Sequence, residues 1–164
     1  MEIKDSGDRT LFESGAVRDM HEGKGRCDLL PLDVVADIFL GSNSNPKYAF
    51  LFDYLYEFQN THDKNALLVA VIKFAVQRWD DIETMLLEVS KHFEDGAKKY
   101  GDNNWRKGIP VNVYIDSAIR HFLKFLRGDT DEPHDRAFCW NLICAAWTCK
   151  HKPELNPYRS EETE

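Results

Sequence analysis

Apolar residues recur at intervals of three and four along much of this chain, and this spacing constrains the fold more than any other feature. The stretches that show it are Leu32 to Leu40, Asp63 to Arg78, Asp80 to Tyr100, Val111 to Arg127 and Pro133 to Cys149. Such spacing places the apolar side chains on one face of an α-helix. Asp63 is placed to cap a helix, Gly101 to end one and Pro133 to start one. The sequence therefore predicts an all-α fold, a helical bundle of about five or six helices.

The segment from Lys47 to Phe58 carries an aromatic residue at every second position, which is also the pattern of a strand. Leu51 and Leu55 fill a second face, and the neighbouring segments offer no partner strand. Helix is therefore favoured for this segment.

The length of 164 residues suits one compact domain with its own core. We assign residues 28–150 to a single all-α catalytic domain. Residues 1–27 are polar and contain several glycines, which predicts an irregular, flexible segment. Residues 151–164 form a polar tail.

The overall charge restricts the kinds of partner. A formal net charge of −7 disfavours non-specific binding to nucleic acid, because such binding depends on a cationic surface. A small anionic ligand held by a few local cations remains open. No secretory signal or membrane-spanning stretch is evident, so a cytoplasmic setting is expected.

Carboxylates, imidazoles and cations recur at helical spacing in the C-terminal half. Glu94 and Lys98 share one helical face, Asp116 shares another with Arg120 and Lys124, and His121 lies one step round from them. The last helix begins with His134 and Asp135. One acidic or imidazole side chain from each helix could meet over a shared metal ion, although solvated ion pairs would give the same pattern.

Two further segments offer groups suited to a nucleotide. The loop that contains Asn104 and Trp105 could stack on a base and bond its edge, or Trp105 could pack against the core. Lys24 and Arg26 flank a glycine and could contact phosphates, although polar termini of this kind are commonly only mobile.

Four motifs together resemble the phage-associated dATP/dGTP diphosphohydrolases, which belong with the all-α, MazG-like nucleotide pyrophosphohydrolases. They are Gly-Lys-Gly-Arg-Cys-Asp-Leu-Leu-Pro (23–31), Gly-Ala-Lys-Lys-Tyr-Gly-Asp-Asn-Asn-Trp (96–105), Tyr-Ile-Asp-Ser-Ala-Ile-Arg-His (114–121) and His-Asp-Arg-Ala-Phe-Cys-Trp-Asn (134–141). The resemblance covers residues 15 to about 155, with a helical insertion at about 41–80. A phage-encoded enzyme would act in the host cytoplasm.

The resemblance implies hydrolysis of a purine deoxynucleoside triphosphate between the α and β phosphates, with Mg²⁺ or Mn²⁺ bound to acids on helices. On this basis we expect Glu94, Asp116 and Asp135 to be the metal ligands and His121 and His134 to be the catalytic residues. The expected substrate-binding residues are Lys24, Arg26, Lys98, Asn104, Trp105, Arg120 and Lys124.

Two other functions compete with this one. His134 and Asp135, preceded by His121, invite comparison with HD-type deoxynucleotide phosphohydrolases, but that site needs a further aspartate downstream and none follows Asp135. The second alternative is a protein that binds or sequesters nucleotides without turnover. Acidic groups near phosphates would oppose simple binding unless a metal ion lay between them, which favours an enzyme.

Self-association is also expected. The aromatic residues of 48–58 predict an apolar surface, and MazG-like relatives are commonly dimers or tetramers that share sites between subunits. We therefore expect a homo-oligomer, either a dimer or a tetramer.

Overall fold

The structure, a computed structural model, describes residues 7–159 and confirms an all-α fold. Six α-helices follow one another in this part of the chain: α1 (Leu32–Ser42), α2 (Ala49–Thr61), α3 (Lys64–Trp79), α4 (Ile82–Tyr100), α5 (Val111–Arg127) and α6 (His134–His151). Short 3-10 turns lie at Cys27–Leu29, Pro46–Tyr48, Asn104–Lys107 and Pro153–Leu155. No described helix is both long enough and apolar enough to pass through a membrane.

Helix boundaries fall where the sequence predicts them. The Asp63 carboxylate accepts a hydrogen bond of 2.9 Å from the Asn65 N–H and caps α3. Gly101 follows the last residue of α4, and Gly128 ends α5 in the left-handed conformation at φ 88°. The Asp63 carboxylate satisfies a backbone N–H at the start of α3, and the two glycines allow the chain to leave the helix at the ends of α4 and α5.

The ambiguous aromatic segment is helical, as expected, and lies in α2. Leu51, Phe52, Leu55 and Phe58 are completely buried, at spacings of three and four residues. Burial therefore follows the helical period and not the alternation of aromatic residues.

The aromatic side chains of α2 point mainly inward, so the predicted exposed aromatic surface is wrong. Phe52 is 0% exposed and stacks on Phe39 of α1 at 5.1 Å between ring centroids, whereas Tyr56 is 40% exposed. The sequence could not show that α1 covers this face. The homo-oligomer itself stays a prediction.

The N-terminal segment differs from the expected irregular structure. Arg9–Leu11 (β1) and Val17–Asp19 (β2) pair as a short antiparallel hairpin. The Asn104 side chain holds β2 from the other half of the chain: its Oδ1 accepts from the Val17 N–H at 2.9 Å, and its Nδ2 donates to the Val17 carbonyl at 2.8 Å. Strands of three residues give no periodic signal, and a distant amide stabilises this pair.

The centre of the bundle is a cluster of phenylalanine rings from α3, α5 and α6. Phe138 lies 5.0 Å from Phe74 and 4.8 Å from Phe122, and all three side chains are 0% exposed. Helices α5 and α6 run antiparallel, because His121 contacts His134 while Tyr114, earlier in α5, contacts Trp140, later in α6. This packing fixes one face of α5 and α6 against the core and leaves their polar residues at the edge.

Replacing Phe52 with alanine should destabilise the protein by about 3 to 5 kcal/mol, because it opens a cavity among rings that cannot fully collapse. The matched change Tyr56→Ala removes a half-exposed ring from the same helix and should cost about 1 kcal/mol or less. Urea unfolding of the two variants measures the difference. Equal losses would contradict the burial of Phe52 inside its own subunit.

Candidate active site

A cavity of about 920 Å³ opens beside the bundle. Its walls are the N-terminal hairpin and the segment after it, helix α4, the 3-10 turn at Asn104–Lys107, and the edge of the α5–α6 pair. Lys24, Lys124 and His121 line the cavity, together with Asp131, Glu132 and aromatic rings that include Trp105 and Trp140. A volume of this size suits a ligand of nucleotide dimensions.

Two imidazoles meet beside the cavity, next to Asp131 and Glu132. His121 Nδ1 lies 2.9 Å from His134 Nδ1, and His134 Nε2 lies 2.8 Å from Asp131 Oδ1. Since a carboxylate accepts, His134 Nε2 carries the proton and its Nδ1 presents a lone pair toward His121 Nδ1. His134 is 2% exposed, so this orientation is fixed by burial as well as by the hydrogen bond.

Of the two imidazoles, His121 lines the cavity and His134 lies behind it. Burial lowers the pKa of His121 well below its usual value, and the neighbouring His134 lowers it further. Its ring is therefore neutral at pH 7 and can offer a lone pair to a proton or to a metal ion. Its Nδ1 faces His134, so Nε2 is the nitrogen left for the cavity.

The same residues can form a metal site. His121, Glu132 and His134 bring three potential ligand atoms within 4.8 Å of one another, and Asp129, Asp131 and His134 form a second such group. A Glu132 carboxylate oxygen lies 3.9 Å from His121 Nδ1 and 4.0 Å from His134 Nδ1. Ligands about 2 Å from a metal at right angles lie about 3 Å apart, so the two Nδ1 atoms already have a suitable separation.

A family model described as dATP/dGTP diphosphohydrolase, N-terminal, matches residues 66–157, which is more than half of the chain. The chain belongs to this family. The match takes in α3 to α6 and the His121–His134 pair, while α1, α2 and the hairpin precede it. Comparison with curated proteins and with solved structures found no match.

In this member of the family the three carboxylates expected as metal ligands lie apart. Glu94 is at the cavity wall, where it pairs with Lys98 at 2.7 Å, and both side chains are more than 60% exposed. Asp135 pairs with Arg78 of α3 at 2.9 Å. Among residues 7–159, no group of three potential ligands contains Glu94, Asp116 or Asp135.

Asp116 is 1% exposed and has three partners. Its carboxylate binds the Arg120 guanidinium, lies 2.5 Å from His21 Nε2 and accepts from the Cys27 N–H at 2.5 Å. Arg120 also donates to the Gly25 carbonyl at 2.9 Å. Asp116 and Arg120 thus tie the glycine-containing segment to α5, which is a structural use of two residues expected to bind metal and substrate.

The other expected substrate-binding residues fall into two groups. Lys24, Lys124, Asn104, Trp105 and Arg120 line the cavity, whereas Arg26 and Lys98 are absent from its described lining. Arg26 forms a two-point ion pair with Asp28 at 2.6 and 2.7 Å, which raises the pKa of its guanidinium. Both amide atoms of Asn104 are engaged by Val17, so its contribution to the cavity is to hold the hairpin wall.

Trp105 lies at the junction between cavity and core. Its ring lies 5.5 Å from Phe93 and 5.0 Å from Trp147, both edge to face, while the Arg106 guanidinium lies over it at 5.1 Å. One part of the indole is therefore packed inside while another reaches the cavity. The packing of Trp105 against the core is therefore observed, and its contact with a base stays a prediction.

Asp131 and Glu132 do not stand out in the sequence, because they lie in the short polar connection between α5 and α6. A usable signal was present, since Asp131 precedes His134 by three residues at the start of a helix, a spacing that lets the two side chains meet. Arg18 and His92 also line the cavity and were missed. Arg18 lies in a segment without periodicity, and His92 resembles an ordinary helical residue.

Lowering the pH should destabilise the protein partly through His92. Burial, Arg18 and Arg136 lower the pKa of His92 to about 3, against about 6.5 in an unfolded chain. The unfolded state therefore binds the extra proton first, and stability is lost as pH falls below about 6.5, by up to about 1.4 kcal/mol per pH unit.

Urea unfolding of wild type and His92→Leu between pH 7.5 and 5 measures this contribution. The free energy of unfolding of the variant should fall less steeply with acid, while His151→Asn, a change at an exposed histidine of α6, should retain the wild-type slope. Parallel curves for wild type and His92→Leu would show that His92 does not supply the effect.

Proposed function

We propose that this chain hydrolyses the purine deoxynucleoside triphosphates dATP and dGTP to the monophosphate and pyrophosphate, with a divalent metal ion. Membership of the dATP/dGTP diphosphohydrolase family supports the reaction class. The observation that supports a particular site is the His121–His134 pair with Glu132, beside a cavity of nucleotide size.

The potential ligand atoms of His121, Glu132 and His134 fit a metal ion. Asp131 accepts a hydrogen bond from His134 Nε2–H and so leaves the Nδ1 lone pair available to a metal ion, which is the usual arrangement behind a metal-binding histidine. The low pKa of His121 supplies a second neutral imidazole. Glu132 adds a carboxylate close to both nitrogens.

His121, Glu132 and His134 would hold the ion, which supplies Lewis-acid polarisation of a phosphoryl oxygen when bound. Two imidazoles and one carboxylate favour Mn²⁺ or another transition metal over Mg²⁺, whose preferred ligands are oxygens. The oxygen-rich group of Asp129, Asp131 and His134 is the alternative position for Mg²⁺.

The chain's own residues have distinct tasks at this end of the cavity. With both Nδ1 atoms engaged, His121 Nε2 carries its proton toward the cavity and donates a hydrogen bond to a phosphoryl oxygen. Lys24 and Lys124 offset the charge that accumulates on the pyrophosphate leaving group. Lys124 is held nearby, since its Nζ lies 3.9 Å from Asp131.

A metal-independent arrangement uses the same side chains differently. If His121 Nδ1–H donates to His134, as the 2.9 Å separation allows, His121 Nε2 is free to take a proton from the attacking water. The positive charge would then be shared through His134 to Asp131. The two arrangements exclude each other, because one Nδ1 atom cannot donate a proton and bind a cation at once.

Turnover should yield the monophosphate and pyrophosphate from dATP and dGTP, resolved by chromatography. His121→Ala and Glu132→Gln should each lower kcat by roughly 10² to 10⁴-fold. The double variant should lose little more, since both changes disable the same metal site. His151→Asn is the control on the same preparation. Nucleoside plus triphosphate would indicate HD-type chemistry, and binding without products would indicate a sequestering protein.

Metal binding is tested on chelator-treated protein by calorimetry with Mn²⁺ and Mg²⁺. Asp131→Asn should weaken Mn²⁺ binding about 10 to 100-fold, because it releases the His134 ring from its fixed orientation. Asp135→Asn, in the ligand set expected from the sequence, should leave binding unchanged because Asp135 pairs with Arg78. Weaker binding in Asp135→Asn with unchanged binding in Asp131→Asn would favour the metal ligands expected from the sequence. Full turnover without metal would favour the proton-transfer arrangement.

A further inference from the structure

A second polar station lies on the α5–α6 pair, one heptad away from the histidines. Arg18 of β2 donates to Asn141 Oδ1 at 2.6 Å, and its guanidinium lies 5.2 Å from the Tyr114 ring centroid and 5.6 Å from that of Trp140. Tyr114 precedes His121 by seven residues, and Asn141 follows His134 by seven. On each helix, seven residues return to nearly the same face about 10 Å along the axis.

This station contains buried polar atoms without partners in the described part of the chain. They are Arg18 Nη1, Trp140 Nε1, His92 Nδ1 and Tyr114 Oη, and the first three belong to residues that line the cavity. His92 lies 5.3 Å from Trp140 between ring centroids, so the unpaired atoms are neighbours. Arg18 and Trp140 can only donate there, so a group that accepts hydrogen bonds is the complement of this station.

The guanidinium of Arg18 is costly in this position unless a ligand completes it. It forms no ion pair with any carboxylate among residues 7–159, and burial lowers its pKa. Two aromatic faces offset part of the cost. A structural arginine is normally satisfied in all its buried donors, because an unpaired buried donor costs about 1 to 3 kcal/mol.

We propose that Arg18 recognises the purine base of the substrate by donating to the acceptor edge of the ring, N7 and, in guanine, O6. This inference rests on the proposed function, since it assigns the base to one end of the cavity and the phosphates to the other. Arginine donates to the N7 and O6 acceptors of guanine in nucleic-acid recognition for the same geometric reason.

The surroundings favour a base over a phosphate at Arg18. The indole rings of Trp140 and Trp105 line this cavity and supply flat apolar surface for stacking. The lysines suited to phosphates lie toward the histidines: Lys124 Nζ is 3.9 Å from Asp131, and the Lys24 carbonyl accepts from Arg120, the residue before His121. The separation of about 10 Å between the two stations is comparable with the length of one nucleoside.

The proposal predicts a preference among bases. Guanine presents two acceptors on this edge, whereas adenine presents N7 beside a donor amine. We therefore expect dGTP to bind more tightly than dATP, and both more tightly than pyrimidine triphosphates, which lack N7.

The test is equilibrium binding, measured by calorimetry in chelator, with chromatography of the recovered nucleotide to show that no turnover contributes. Wild type should bind dGTP at least about tenfold more tightly than 7-deaza-dGTP, which lacks the N7 acceptor. Arg18→Met should lose that discrimination while its affinity for inorganic tripolyphosphate stays at the wild-type value. Arg106→Met is the matched control, because it removes an exposed guanidinium stacked on Trp105 and should change neither quantity.

Each failure has its own signature. A parallel loss of tripolyphosphate affinity in Arg18→Met would show that Arg18 holds a phosphoryl group and would overturn the proposal. If Arg18→Met does not fold, Arg18→Lys is the second variant. It keeps the positive charge but lacks the paired N–H donors of a guanidinium, and it should also lose the preference for dGTP over 7-deaza-dGTP. Equal binding of dGTP and 7-deaza-dGTP by wild type would refute the proposal without any variant.

The same measurements separate this inference from the proposed function. Discrimination at N7 without turnover would leave Arg18 as a base-recognition residue in a nucleotide-binding protein. Turnover of dGTP without discrimination would leave the enzyme and remove Arg18 from its specificity.

Discussion

The packing of α5 against α6 is the contact on which the rest of this structure depends. Phe122 and Phe138 stack at 4.8 Å in the centre, and Phe74 of α3 closes the cluster. Because both helices are held rigidly by these rings, their polar residues occupy fixed positions at the cavity edge. The contact between His121 and His134 is a direct result of this antiparallel alignment. No loop needs to move to bring the two imidazoles together.

Much of the fold follows from local signals in the sequence. The helices, the Asp63 cap and the glycine at the end of α4 are all set within a few residues of where they act. The N-terminal hairpin is different in kind. It is fixed by the Asn104 amide, 87 residues from Val17, and no short-range pattern contains that pairing.

The two imidazoles of the candidate site could be chosen from the sequence by residue type and by their places on α5 and α6, although the contact between these helices could not. The choice of His121 and His134 placed two residues that the structure brings to 2.9 Å, although their roles stay a prediction. The acids could not be chosen in the same way, because a helical wheel does not show which neighbour claims a carboxylate. Asp135 is taken by Arg78 of α3, and Asp116 by Arg120 and by partners from the N-terminal segment.

The hairpin wall lies outside the 66–157 region that matches the family, yet it supplies Arg18 to the cavity. On the proposed roles, chemistry and ligand choice are encoded in separate stretches of the chain, although Phe12 and Ala16 of the hairpin segment pack against the helical core. Substitutions in the short strand β2 can alter what the cavity accepts without a compensating change in the helices. On this proposal, substitutions in the hairpin would change the selectivity of the cavity while the His121–His134 pair stays the same. Relatives with the same helices could differ in their preferred nucleotide through this segment alone.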